Sequence, residues 1–209
     1  MHHMGEEGGG WSLAPSGSNE DLARRLAMAS PSDTTRGMFL RATLEAVRVL
    51  GEEEAVRGCL RASGEEKLVD FFIYPVTAHL RMVFAAARML EARSGGFNEA
   101  LRALGSKAAQ SFLASASGLM LQLLAGGDAK RLLANLPSAY RATVNFGERS
   151  VLWTGPTRGQ LCMRHEFMPS AFHEGLLMGV LGKARARGAR VHGYQLSTLE
   201  SDYDVSWEA

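Results

Sequence analysis

The hydrophobic pattern of this chain changes its period at about residue 141, and few folds accommodate such a change. From Ser18 to about Tyr140 apolar residues recur at helical spacing, and from Arg141 onward they alternate with polar ones. The first pattern turns one face of a helix to a core; the second does the same for one face of a strand. A helical half (19–140) followed by a strand-rich half (141–209) predicts an α+β fold, with a helical bundle packed on an antiparallel sheet.

The helical half divides at its breakers. Ser18 or Asn19 can cap a first helix, EDLARRLAMA. Pro31 turns the chain, and Asp33 can cap a second helix, TTRGMFLRATLEAVRVL, where Arg41, Glu45, Arg48 and Glu52 form one polar stripe. Gly51 ends it, and EEEAVRGCLRAS follows with acids in its first turn, where the helix dipole favours them. LVDFFIYPVTAHLRMVFAAARMLEAR reads as two helical pieces broken at Tyr74–Pro75, the second nearly all apolar and therefore central. FNEALRALG and SKAAQSFLASASGLMLQLLAGG come next, the latter with Phe112, Ala116, Leu119, Met120, Leu123 and Leu124 on one face. Asp128 caps AKRLLANL, which Pro137 closes, for a total of about six to seven helices.

In the second half ATVNF, SVLWT and QLCMRHE read as strands, PSAFHEGLLMGVLGKARARG as a helix, and RVHGYQLS and DYDVSWE as strands again. The last four strands and the helix predict a four-stranded antiparallel sheet in a β-β-α-β-β order. Residues 19–209 form one domain in this reading, long enough to bury roughly 70% of its unfolded surface. Residues 1–18, MHHMGEEGGGWSLAPSGS, are rich in Gly and Ser, lack periodicity and are expected to be flexible.

Composition removes several classes of function. A net charge of +1 gives no basic face for nucleic acid. The longest apolar run, GLMLQLLA, falls well short of the ~20 residues of a membrane span. Cys59 and Cys162 lie far apart, make no disulfide framework and fit a reducing cytoplasm.

Chemistry concentrates in one stretch, LCMRHEFMPSAFHEG, which holds Cys162, His165, Glu166, His173 and Glu174. On a strand, Cys162 and His165 point to opposite faces, as do His165 and Glu166; on a helix, His173 and Glu174 diverge by about 100°. A zinc site needs three or four convergent ligands. The stretch therefore reads as a strand-to-helix crossing in which Cys162 is small and buried, His165 satisfies a strand end, and Phe172 and Leu176 pack the helix on the sheet. A metal reading depends on His79 or His192 reaching the same point. No P-loop is present, no G-x-G-x-x-G follows a strand, and no G-x-S-x-G elbow surrounds SASASG. Gly126 and Gly127 read as a helix C-cap, and KARARGAR as a solvated helix terminus. The chain is expected to be non-enzymatic, with no catalytic residue, metal ligand or cofactor.

Several stretches, among them DTTRGMFLRATLEAVRVLG, DFFIYPVTAHLRM, LLAGGDAKRLLANLPSAYR and ERSVLWTGPTRGQLCMRHEFMPSAFHEG, resemble a paralogous family of unknown function from myxobacteria, over about residue 20 to the C-terminus. The resemblance implies a soluble cytoplasmic protein. More distantly, FNEALRALGSKAAQSFLASASGLMLQLL followed by two strands, a helix and two strands is similar to haem-nitric-oxide-binding sensor domains. That superfamily includes 4-vinyl-reductase-type ligand domains and TRAPP tethering subunits, and its members often enclose a small-molecule cavity. The haem sensors carry a proximal histidine eight residues past a Phe; counting from Phe112 gives Met120. Their Y-x-S-x-R propionate pattern is matched in WTGPTRG by Arg158 alone. Haem binding is therefore not expected.

The resemblance and the residues together point to a regulatory or sensory module with a small hydrophobic ligand between helices and sheet. The expected pocket residues are Met38, Phe39, Phe84, Phe112, Leu119, Met120 and Trp153. The alternative is an adaptor with a filled core, acting as a homodimer or through a regulatory protein partner.

Overall fold

The computed structural model of the chain describes residues 13–208; the expectation of flexibility for residues 1–12 falls outside them. In chain order the elements are α1 (Asn19–Met28), β1 (Thr34–Arg36), α2 (Gly37–Leu50), α3 (Glu53–Ser63), β2 (Ile73–Pro75), α4 (Val76–Ser94), α5 (Phe97–Ala114), α6 (Ala116–Ala125) and α7 (Ala129–Arg141). The second half contains β3 (Glu148–Gly155), β4 (Arg158–Arg164), α8 (Ser170–Lys183), β5 (Arg190–Ser197) and β6 (Glu200–Ser206). The fold is mixed α+β, as the change of period predicts, with one four-stranded antiparallel sheet ordered β3-β4-β6-β5.

Local chemistry sets many of the boundaries. Ser18 accepts from the Asp21 N–H at 3.0 Å and Asp128 from the Arg131 N–H at 2.7 Å, so each starts a helix. Gly126 closes α6 in the left-handed conformation at φ 61°, which favours glycine. Alternation in the sheet is strict: Val151 and Trp153, Leu161 and Met163, and Tyr203 and Val205 turn inward, against Leu132, Leu133 and Leu136 of α7 and Leu177, Val180 and Leu181 of α8. A second core, with Leu40, Leu80, Phe84, Leu101 and Leu104 fully buried, holds α2, α4 and α5 together.

The contact that joins the halves is the crossing of α5 and α8, the most extensive between any two elements. Three glycines make it close. A Cβ on Gly105 would lie 1.9 Å from the Phe172 carbonyl oxygen, and one on Gly175 would lie 1.9 Å from that of Arg102. Gly179 faces Ser106 in the same way, at 2.8 Å.

Five local expectations are corrected. The TTR of the second expected helix is strand β1, paired with β2, and α2 starts at Gly37, whose Cβ position is occupied by the Val69 carbonyl oxygen at 2.1 Å. Asp33 caps no helix; it accepts from the Ser30 N–H at 2.7 Å. The piece before Pro75 is a loop and strand, because the residue before a proline is driven out of the helical region. Pro137 lies inside α7 and does not close it. ATVNF forms no sheet strand and contributes one isolated bridge, Val144 to Thr35. Among the described residues no single helix is long and apolar enough to cross a membrane.

Gly175→Ala is expected to force α5 and α8 apart and destabilise the protein by about 3 kcal/mol. Gly182→Ala, on the same helix with nothing within 4 Å of its Cβ, is expected to stabilise it by about 0.5–1 kcal/mol. Urea midpoints of the two variants check both signs.

Candidate functional site

Where the helical core meets the sheet, the packing leaves a cavity of about 60 Å³. That exceeds the room one water requires, roughly 10–15 Å³, and is well below the ~300 Å³ of a pocket for a drug-sized molecule. Its apolar wall is built by Phe39 of α2, Ala108, Ala109 and Phe112 of α5, Leu136 and Ala139 of α7, and Leu176 and Val180 of α8. Phe39 and Phe112 stack with ring centroids 6.0 Å apart.

The other end of the cavity is polar. Arg149, in the register that turns Val151 and Trp153 inward, brings a guanidinium beneath Tyr140 and Phe146, 4.6 and 5.3 Å from their ring centroids. It donates to the Phe146 carbonyl and to Glu166 Oε2. Glu166 is turned inward because His165 takes a left-handed conformation at φ 53°, and its N–H donates to the Leu199 carbonyl at 2.8 Å. The other carboxylate oxygen accepts from the Met168 N–H at 3.1 Å. Burial pushes the Glu166 carboxyl upward, but Arg149, His173 and the Met168 N–H outweigh it and hold the group well below the usual carboxylate range.

Two histidines complete this end. His173 Nδ1 and the Tyr140 hydroxyl are 3.2 Å apart, and His173 Nε2 is 3.4 Å from Glu166 Oε1, within ion-pair reach but not aligned as a hydrogen bond. On α4, His79 Nε2 lies 3.1 Å from Thr43 Oγ1, whose proton goes to the Phe39 carbonyl. The imidazole is therefore the donor, protonated at Nε2. Burial first, with His173 adding to it and Glu166 opposing, pushes the His79 pKa down to about 4. Tyr140 is held un-ionised, its pKa raised by burial and by Glu166 against the pull of Arg149.

Of the expected pocket residues, Phe39 and Phe112 line this cavity. Phe84 is fully buried against Phe97, Met38 is half-buried outside the cavity, and Trp153 packs edge-on to Trp207. Leu119 and Met120 are 53% and 58% exposed, because α6 bends 85° away from α5 at Ser115 and turns them outward. Their expected place in the pocket is thus corrected. Cys162 is half-buried, not buried, and His165 is half exposed at a strand end, 3.8 Å from Asp33. His79 does reach the cavity that Glu166 and His173 line, yet among the described residues no three or more His, Cys, Asp or Glu side chains are grouped to hold a metal. Thr35, Tyr140, Arg149, Glu166 and His173 were not foreseen as site residues. Arg149 left one signal, a charge in an inward register position of a strand.

A family model described as "Protein of unknown function (DUF2378)" matches residues 28–208. No curated protein matches the sequence. Solved H-NOX structures are similar to the chain in fold. One is a mutant H-NOX protein from K. algicida in the Fe(II) unliganded state, with 14% identity, TM-score 0.65, and 83% of this chain and 97% of that one covered. Another is an oxygen binding H-NOX domain related to soluble guanylate cyclases, with 11% identity, TM-score 0.62, and 83% and 95% covered. A Cs H-NOX variant gives 12% identity, TM-score 0.64, and 83% and 97% covered. These agree with the distant resemblance found in the sequence.

Because the folded protein keeps His79 neutral while the unfolded chain protonates it near pH 6.5, its contribution to stability is complete above that pH. It is lost as pH falls toward 4, by up to about 3 kcal/mol. His79→Gln is expected to flatten the dependence of unfolding free energy on pH between 6.5 and 4 by about one proton, measured by urea denaturation across that range.

Proposed function

We propose that this chain, which belongs to the family described as a protein of unknown function (DUF2378), is a non-enzymatic sensory or regulatory module that takes a small hydrophobic ligand other than haem. The observation that carries this reading is the cavity at the junction of helices and sheet, apolar over most of its wall. The H-NOX fold supports it, since an oxygen binding domain has the same architecture. The ionisable groups around the cavity support a non-catalytic role. Arg149 and Glu166 are committed to each other. Away from the cavity, in the helical core, burial pushes the Cys59 thiol up to about 11, where it is a poor nucleophile.

The residues present do not fit a haem. Met120, at the position counted from Phe112, is on the outer face of α6. His79 spends Nε2 on Thr43, and His173 lies between Tyr140 and Glu166. A cavity of about 60 Å³ is far smaller than a macrocycle. Sensing on this reading is a shift of population: a ligand favours whichever packing of helices against the sheet it binds more tightly.

One observation favours the adaptor reading. On α6, Leu119, Met120, Leu123 and Leu124 are 53%, 58%, 76% and 67% exposed and form an apolar surface of the kind that assembly covers. A homodimer or a regulatory protein partner would use it.

Mass spectrometry of the full chain under native and denaturing conditions, with an absorbance spectrum of the same sample, separates these readings. The expected result is a small added mass lost on denaturation, without a Soret band. Ala139→Leu, which fills the cavity from its half-buried α7 edge, is expected to lose that mass at a stability cost below about 1.5 kcal/mol. A Soret band overturns the non-haem reading. A bare chain that assembles through α6, with Leu123→Glu returning it to a monomer, replaces the ligand reading with the adaptor.

A further inference from the structure

Helices α5 and α8 run side by side in the same direction. Gly175 lies against Arg102, and Gly179, one turn later, against Ser106 and Ala109. Both helices therefore finish at the same end of the molecule. Helix α6 is turned 85° from α5 and lies across that end. Packing holds the bend, since a Cβ on Gly118 would meet the Phe112 carbonyl oxygen at 2.1 Å. No residue of α6 is charged, and its one amide is turned to the protein, where Gln122 Nε2 donates to the Leu113 carbonyl at 2.6 Å. Leu121 and Ala125 are buried beneath, so Leu119, Met120, Leu123 and Leu124 make the outer face apolar.

Cations gather at the same end. Lys183 is the last residue of α8, and Arg185 and Arg187 follow it into the loop that leads to Arg190 at the start of β5. Arg190 and Arg158 both pair with Ser206, so they stand on one face of the sheet, on either side of β6. Arg131 is in the first turn of α7, whose Lys130 reaches the Gly155 carbonyl at the end of β3. Arg131, Arg158, Lys183, Arg185, Arg187 and Arg190 are exposed, and among the described residues none of the six makes an ion pair. In the helical half, by contrast, Arg48, Arg57, Arg61 and Arg93 are each held by a glutamate. The acids at the cationic end are Asp128, which caps α7, Asp204, which accepts from Tyr194 and Gln160, and Glu208 beside Gly188. A net charge of +1 thus hides a basic end.

An apolar face fringed with unpaired cations fits one kind of partner. A second copy seated on α6 would bring the two basic fringes together, because a two-fold contact joins the same patch of each chain. A bilayer surface of anionic lipid accepts both features at once: leucine and methionine enter the headgroup boundary, and the cations meet phosphates. We infer that this end of the molecule docks on an anionic lipid surface, with α6 lying in the interface and the six cations around it. The helix rests on the membrane and does not cross it, in keeping with its ten residues. The inference is independent of the cavity and its ligand. It gives to lipid the α6 face that the adaptor reading gives to a protein.

Cosedimentation of the full chain with two kinds of vesicle tests it, one of phosphatidylcholine alone and one of phosphatidylcholine and phosphatidylglycerol in equal parts. The expected result is binding to the mixed vesicles at least about tenfold tighter than to the neutral ones. Two variants change exposed side chains only and are expected to fold. Leu123→Gln with Leu124→Gln should weaken binding to the mixed vesicles by about tenfold or more. Lys183→Gln with Arg185→Gln and Arg187→Gln should weaken it by roughly a hundredfold, at about fivefold per charge. No binding to the mixed vesicles, equal binding to both kinds, or a loss in neither variant overturns the inference. So does self-association in lipid-free buffer that Leu123→Gln with Leu124→Gln abolishes, which assigns the face to a second copy. Each of these outcomes leaves the ligand-binding reading standing.

Discussion

Everything else in this molecule depends on how closely α5 approaches α8. The two helices come from opposite halves of the sequence, and no side chain separates them where Gly105 meets Phe172 and Gly175 meets Arg102. Close backbone approach of this kind gains dense dispersion contact, at the conformational cost that glycine brings to a helix. It also fixes geometry. Once these backbones touch, α8 has one position over the sheet and α5 has one position in the bundle. The cavity lies beside that contact, lined by Ala108, Ala109 and Phe112 of α5 and by Phe172, Leu176 and Val180 of α8.

Against this apolar framework the buried Arg149–Glu166 pair is the main expense. Both side chains are nearly inaccessible, at 3% and 5% exposure, and the desolvation of two charges is met by a dense set of partners. The guanidinium packs on the Tyr140 and Phe146 rings, and the carboxylate accepts from Arg149 and Met168. An apolar pair of similar shape would hold the fold as well or better. The ion pair therefore makes sense through what it does for the cavity: it sets a polar end against the apolar wall.

The fold class was legible because it follows from periodicity, which survives local errors. The change near residue 141 predicts helices followed by an antiparallel sheet whatever the individual boundaries. The boundaries failed where tertiary contact overrides local preference. Thr34–Arg36 has no strand signal of its own and becomes a strand because Ile73–Pro75 lies alongside it. Leu119 and Met120 have the right spacing for a core face, but spacing cannot reveal that α6 turns away at Ser115. The site was less legible still. Glu166 and His173 share one stretch, but His79 and Arg149 come from two others, and only the three-dimensional packing brings the three together. Within the LCMRHEFMPSAFHEG stretch the strand ends at Arg164, so it is the left-handed turn at His165, and not strand alternation, that exposes His165 and buries Glu166.

His173 and Glu174 are adjacent on α8 and point in directions about 100° apart. His173 looks into the cavity, while Glu174 accepts from the Gly193 N–H of β5 at 2.7 Å and from Arg102 Nε of α5 at 2.7 Å. Helix α8 is in effect an axle with a spoke on each side. Any rotation imposed at the His173 spoke must either break the Glu174 bonds or drag the outer strand of the sheet with it, so the edge at β5 is mechanically geared to the interior.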